Sequence, residues 1–352
     1  MKLNGPELER RAAKVVAECF ADVPFCSLRW TRWRVRVGTG GIDALGRLSI
    51  EGEADRTLLL EAKSAGQPRL VREAAHALRR YGESFENPYG VVAAPYISDA
   101  AADILTREGV GYVDFAGNCR ITVGKVYIVK EGKSNPFTEQ RGLRSLYSPK
   151  AERVLRVLME NPRRTWLVQA LAEAAQVSLG QAFNVKKLLD AREWIEAEER
   201  GFRMTAPEAL LREWSANYRF GRSRTVEVYA MESIDAVERA IAERRAGEPR
   251  GVLTAFSAAA RFAPAVRYQK VSAYVRAGAD SVAAEMRWKR VPSGGNVSLI
   301  EPYDEGVFAG GKDVEGVAVV SPVQAYLDLQ ANVGRGEEAA EAIYREVLRP
   351  SW

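Results

Sequence analysis

Residues 167–189 read LVQALAEAAQVSLGQAFNVKKLL. Two short helical patterns flank Gln176-Val177, and Ser178 is a natural helix cap. Ala170, Leu171 and Ala174 are expected to keep the first helix close to the second. Val177 should fill the turn, and Val185, Leu188 and Leu189 should anchor the second helix. Ser178, Gln181, Asn184, Lys186 and Lys187 are then left to face outward. Upstream, Ser148-Pro149 opens a helix whose apolar face is Val154, Leu155, Val157 and Leu158, and Asn161-Pro162 closes it. Downstream, 194–197 and 202–205 read as short strands around Arg200-Gly201. Three helices and a hairpin predict a winged helix-turn-helix over 148–207.

The chain before it alternates strand and helix signals. A helical period over 5–21 (Leu8, Ala12, Val15, Val16, Cys19) precedes strand-like runs at 27–37, 42–51 and 57–63. Pro68–Tyr81 reads as a helix, 89–95 as a buried strand, 99–108 as a helix and 111–129 as further strands. Gly109–Asn118 is Gly-rich but lacks phosphate-loop spacing, so it reads as strand, tight turn, strand, with Asp114 and Asn118 as turn hydrogen-bonders or as lining of a cleft. This order predicts a compact α/β domain over 1–132. The polar stretch 133–147, broken by Pro136 and Gly142, reads as a linker. Residues 208–352 mix helices (208–217, 233–245, 337–349) with strand-like runs (225–230, 271–275, 297–299, 317–320) and read as an α+β domain.

Within the first domain, Asp43 begins one strand and Glu61-Ala62-Lys63 ends the next. That is the D…ExK layout of the PD-(D/E)XK fold, the restriction-endonuclease-like α/β fold. Two carboxylates, Asp43 and Glu61, would hold Mg²⁺, and Lys63 would place the attacking water. Glu61 and Lys63 are two apart and share a side of a strand. Glu18 is a candidate third carboxylate. The alternative is a plain surface Glu-Lys pair with Asp43 as a turn residue.

Composition narrows the class. With 352 residues, 47% hydrophobic and 28% charged, the chain is long and apolar enough for several cores. No run reaches the ~18 apolar residues of a membrane span, and the first residues carry no signal-peptide core. A cytoplasmic protein is expected. Cys19, Cys26 and Cys119 are too few and scattered for a disulfide framework. The single histidine, His76, argues against a histidine metal centre, so no cofactor is expected unless Mg²⁺ sits at the carboxylates. The net charge is +5, and the surplus lies early: residues 1–144 hold 22 Lys/Arg against 18 Asp/Glu. A polyanion should dock there or on 145–207. Trp30 and Trp33 read as core, the alternative being a stacking platform for bases. Arg34 and Arg36 read as a basic stripe or a solvated face.

The outward residues of the 178–189 helix suit a DNA duplex. Gln and Asn pair with adenine edges, and Lys neutralises phosphate. Arg163 and Arg164 would grip the flanking backbone, and Arg200 and Arg203 would serve in the wing. The wing also carries Glu196, Glu198 and Glu199, which repel DNA.

Three further stretches carry a resemblance. AAPYISDAAADILTREGVGYVDFAGNCRI (93–121), LEAKSAGQPR (60–69) and VVSPVQAYLDLQANVGRGEEAAEAIYREVL (319–348) resemble AbiEi-type regulators, the antitoxins of type IV toxin–antitoxin systems. The segment around Ser178-Leu-Gly-Gln-Ala is similar to theirs as well, although many members carry the winged helix at the N-terminus. The resemblance implies a transcriptional regulator that binds operator DNA and represses the operon encoding itself and a nucleotidyltransferase-like toxin, with no membrane role and a possible homodimer. The two alternatives are an Mg²⁺-dependent nuclease built on Asp43, Glu61 and Lys63, and a protein-interaction scaffold.

Overall fold

The computed structural model describes residues 5–38, 40–133, 136, 146–245, 248–331 and 334–352. Most of the stretch read as a linker lies outside them. The chain divides into two compact units: Met1–Arg144 with Asp190–Glu193, and Ser145–Leu189 with Trp194–Trp352. It is a mixed α/β protein with two seven-stranded sheets.

In the first unit the strands lie in chain order: β1 (Cys26–Val37), β2 (Gly40–Ile50), β3 (Arg56–Ala62), β4 (Pro88–Ala94), β5 (Gly111–Asp114), β6 (Cys119–Val123) and β7 (Val126–Lys130). The β3–β4–β5 pairs are parallel and the others antiparallel. Parallel neighbours need helical crossovers, and α2 (Pro68–Gly82) and α3 (Asp99–Arg107) supply them on one face. The opposite face is covered by α1 (Gly5–Ala21). TLLLEAK shows why both faces fill. Leu58 and Leu60 pack with Ala12, Val16 and Phe20 of α1, while Leu59 packs with Val71, Ala74 and Leu78 of α2. Period-two alternation thus distributes one apolar run between two cores.

Cys19 and Cys119, 100 residues apart, meet in the α1-side core as free buried thiols. Asp114 and Asn118 resolve as turn hydrogen-bonders. Asp114 accepts from the Asn118 backbone and side-chain amides, both at 2.8 Å, and the Lys133 N–H donates to Asn118 Oδ1 at 2.8 Å. Trp33 departs from the expected core position and is exposed. It stands on β1, the outer strand of the sheet, which is unpaired on one side.

The second unit begins with α4 (Pro149–Glu160), α5 (Val168–Ala174), α6 (Leu179–Ala191) and the hairpin β8 (Ile195–Glu198)–β9 (Gly201–Met204). Leu146 and Tyr147, read as the end of a linker, are buried. After α7 (Pro207–Asn217) comes the second sheet, whose strands lie in the order Lys289–Arg290, Arg224–Tyr229, Val297–Glu301, Val271–Val275, Gly251–Leu253, Val317–Val319 and Lys312–Val314. The buried helix Pro322–Gln330 was not anticipated. Nearly all of its residues are buried, so it shows no amphipathic period to read.

Candidate nucleic-acid interface

The turn between α5 and α6 is built by backbone geometry. Gln176 takes a positive φ of 52°, and the Val177 N–H donates to Ala172 O at 3.0 Å. Ser178 caps α6, its Oγ accepting from the Gln181 N–H at 3.2 Å. Val185 and Leu189 are buried as expected, with Ala172, Ala175 and Ala182 beside them. Ala174, expected at the helix–helix contact, is exposed instead. The hairpin is stitched to the segment before α5: Trp166 and Phe202 exchange backbone hydrogen bonds of 2.8 and 3.0 Å. Gly201 permits this approach. It has φ of 124°, and a Cβ there would lie 2.4 Å from Trp166 O.

The expected contact residues separate into two groups. Ser178, Asn184 and Lys187 are exposed, and Gln181 is half-buried. Arg200 is exposed at the hairpin turn. The others are engaged within the protein. Lys186 is half-buried, with its ammonium 5.5 Å from the centre of the Phe202 ring. Arg163 donates twice to the Trp352 carbonyl, at 3.1 and 2.7 Å. Arg164 lies over the Trp166 ring at 3.9 Å. Arg203 is held by Glu196 and Glu198 of its own hairpin, which neutralises part of the acidic wing. Sequence reasoning missed Leu179 (57% exposed) and Phe183 (59%), which stand on the outer face of α6. Their spacing of four was the available signal.

In the first unit, β2 and β3 bring the acidic pair together. Ala44 lies opposite Leu60, so Asp43 and Glu61 follow at adjacent positions. Asp43 Oδ2 accepts the Ala62 N–H at 2.7 Å, and Lys63 Nζ donates to Glu61 Oε1 at 2.8 Å. Burial pushes both carboxyls above their ordinary range, and Lys63 pulls each back. The helix carboxylate near them is Glu9, which raises both further and binds Arg34 at 2.9 and 3.1 Å. Glu18 instead pairs with Lys14 at 3.8 Å and is largely exposed, so it does not serve as the third carboxylate. Gly66 fixes the loop after Lys63, since a Cβ there would sit 2.2 Å from Tyr96 O. Among the described residues no group of three or more His, Cys, Asp or Glu side chains could hold a metal ion.

A buried polar network ties α4 to the elements that follow it in the second unit. Arg156 and Glu152 are both fully buried, 3.8 Å apart. Arg156 donates to Gln324 Oε1 at 2.9 and 2.7 Å. Gln324 in turn donates to Asp328 Oδ1 at 2.8 Å, which also accepts from the Tyr218 and Tyr274 hydroxyls at 2.8 and 3.0 Å. Burial, opposed by these donors, pushes the Asp328 carboxyl up to about 6. Arg153 and Asp304 add a bidentate pair at 2.7 and 3.0 Å.

No curated protein matches the chain. Two solved structures align in part. "Structure of EndoMS-dsDNA2 complex" is 21% identical over 32% of this chain and 45% of that one, with a TM-score of 0.24. A "repair endonuclease from Pyrococcus abyssi" is 16% identical over 33% of this chain and 48% of that one, with a TM-score of 0.25. The chain therefore spans less than half the length of either. No helix among the described residues is long and apolar enough to cross a membrane. Residues 203–349 match the AbiEi_2 family model, described as "Transcriptional regulator, AbiEi antitoxin, Type IV TA system", so this stretch of the chain is similar to that family.

Proposed function

We propose that the chain is a DNA-binding transcriptional regulator, the antitoxin and autorepressor of a type IV toxin–antitoxin system. In this reading residues 148–207 are a winged helix, α6 enters the major groove of operator DNA, and 208–352 is the AbiEi-like domain. The supporting observation is the capped helix α6, which leaves Ser178, Asn184 and Lys187 exposed and is followed, after three residues, by an acidic hairpin whose Arg203 is already paired. Asn184 and Gln181 suit adenine edges, and Phe183 suits a thymine methyl. Lys187 and Arg200 would take phosphates. Such a regulator works in the cytoplasm, with a nucleotidyltransferase-like toxin encoded nearby as its partner, and as a homodimer if its operator is palindromic.

The test is a gel-shift titration against the promoter fragment upstream of its own gene. Lys187→Ala should make the salt dependence shallower by about 0.9 in log K per log salt, the value of one phosphate contact. Gln181→Ala and Asn184→Ala should change sequence preference. Equal affinity for promoter and unrelated fragments overturns the proposal.

The nuclease reading is weaker. Two carboxylates, one hydrogen-bonded to a lysine and one to a backbone amide, do not make a ready divalent site, and no cleavage step is derived from them. Supercoiled plasmid that stays intact with Mg²⁺ or Mn²⁺ is the expected outcome.

A further inference from the structure

We infer that β7, at one edge of the first sheet, pairs with β7 of a second copy of the chain, so that two sheets join into one across a two-fold axis. The inference does not rest on the reading of α6, and the association needs no DNA.

β7 has β6 on one side and, among the described residues, no strand on the other. The backbone shows which groups are open. Thr122 lies opposite Tyr127, yet its N–H turns away from β7 and donates to the Tyr89 hydroxyl at 3.0 Å. In an antiparallel ladder such a pair exchanges no hydrogen bonds, so the N–H and C=O of Tyr127 also point away from β6. The two-residue loop Gly124-Lys125 agrees, since the Val123–Val126 pair that closes it is the bonded one. By the period of two, Val129 repeats Tyr127. Both residues aim a donor and an acceptor out of the sheet.

The side chains follow the same period. Val126 and Ile128 turn into the α1-side core, while Tyr127 and Val129 stand on the other face, 65% and 36% exposed. Edge strands are commonly blunted by charge. The opposite edge obeys that rule, with Arg29, Arg32 and Arg36 exposed along β1. β7 does not. Its one charge, Lys130, pairs with Asp22 at 3.7 Å, and Arg120, opposite Val129, pairs with Glu131 at 3.6 Å. What remains is an apolar, electrically balanced edge with unused hydrogen-bonding groups.

A second copy fits it residue by residue. In antiparallel pairing an outward-bonding residue must meet another of its kind. A two-fold axis at Ile128 sets Tyr127 of each copy opposite Val129 of the other. Both residues then exchange backbone hydrogen bonds, and each copy gains an aromatic–β-branched pair. The same axis sets Lys130 opposite Val126, so like charges do not meet. Moving the axis to Tyr127 sets Val129 against Lys125, and moving it to Val129 sets Tyr127 against Glu131. Either shift loses the aromatic–β-branched pairs.

The experiment is sedimentation velocity on the full chain without nucleic acid, over about 1–100 μM, because one short strand per copy buries less than the ~1,200 Å² of a tight complex. A monomer–dimer equilibrium is expected. Val129→Pro removes an outward N–H from each copy and takes no bond from the β6–β7 ladder, a place where an edge strand tolerates proline. It should raise the dissociation constant about 5- to 150-fold, the loss of one interstrand hydrogen bond per copy. Tyr127→Lys keeps the backbone and should raise it about 2- to 30-fold through the lost cross-strand pairs. Arg32→Glu, on β1, should leave it unchanged. Circular dichroism and melting temperature show whether the variants fold. If Val129→Pro does not, Tyr127→Lys decides, since it alters an exposed side chain. A monomer at the highest concentration, a dimer that the β7 changes do not weaken, or one that Arg32→Glu weakens as much overturns the inference. None of these outcomes bears on the gel-shift test of α6.

Discussion

Replacing Arg156 with methionine isolates the contribution of the buried cation. Methionine follows the aliphatic stem, so little space opens. The two donations to Gln324 Oε1, at 2.9 and 2.7 Å, vanish. Glu152 loses the cation 3.8 Å away and keeps Arg222 at 3.7 Å and the Tyr303 hydroxyl. Breaking one side of a buried pair costs about 3–5 kcal/mol, because a charge is left without its counterion. Arg222 is about one-third exposed (34%), so solvent screens most of its attraction. The orphaned Gln324 acceptor adds about 1–3 kcal/mol, and the hydroxyl on Glu152 offsets part of the total. A net loss of about 4 kcal/mol is expected. Adding Glu152→Gln removes the stranded charge and should restore about 2 kcal/mol, a coupling typical of residues in contact. Urea unfolding at pH 7, followed by tryptophan emission, measures the wild type and both variants. A single change costing less than about 1 kcal/mol, or a double variant no more stable than the single, refutes the reasoning.

Two other outcomes follow from the same geometry. Gly201→Ala should cost at least about 1–3 kcal/mol for an alanine held at positive φ and should separate Trp166 from the hairpin, read as a lowered melting temperature and weaker promoter binding; an unchanged melting temperature would show that the hairpin relaxes freely. Asp328 has a folded pKa of about 6 against an ordinary 3.8, so the folded state binds the proton more tightly. Its favourable contribution is fully present below pH ~4 and is lost as the pH rises through ~6, a change of about 3 kcal/mol. Asp328→Asn should flatten that part of the stability profile, and an unaltered profile would place the titration elsewhere.

Where a period was clean, the sequence was legible. TLLLEAK announced a strand buried on both faces, and the helices around Gln176-Val177 fell within a residue or two of their expected limits. The failures have local causes. Glu9 and Glu18 lie nine residues apart, which is half a turn out of phase on α1, so only packing decides which one approaches Asp43. On α6 apolar residues occupy both sides, and periodicity could not tell Val185, turned inward, from Phe183, turned outward. Trp33 was read as core because its strand reads apolar and aromatic, and nothing in that run marks β1 as the outer strand of the sheet, unpaired on one side. Arg163 was read as free because its partner, the Trp352 carbonyl, lies 189 positions away.

The Arg156 network bears on how far residues 148–207 could be transplanted. A graft of 148–207 onto another scaffold would carry Glu152 and Arg156 without Gln324, Tyr303 or Trp214 to enclose them. Two charges that are now sealed would meet water on the graft's underside. A transfer of this segment should therefore carry everything up to Asp328 with it, or else redesign those two side chains as apolar ones.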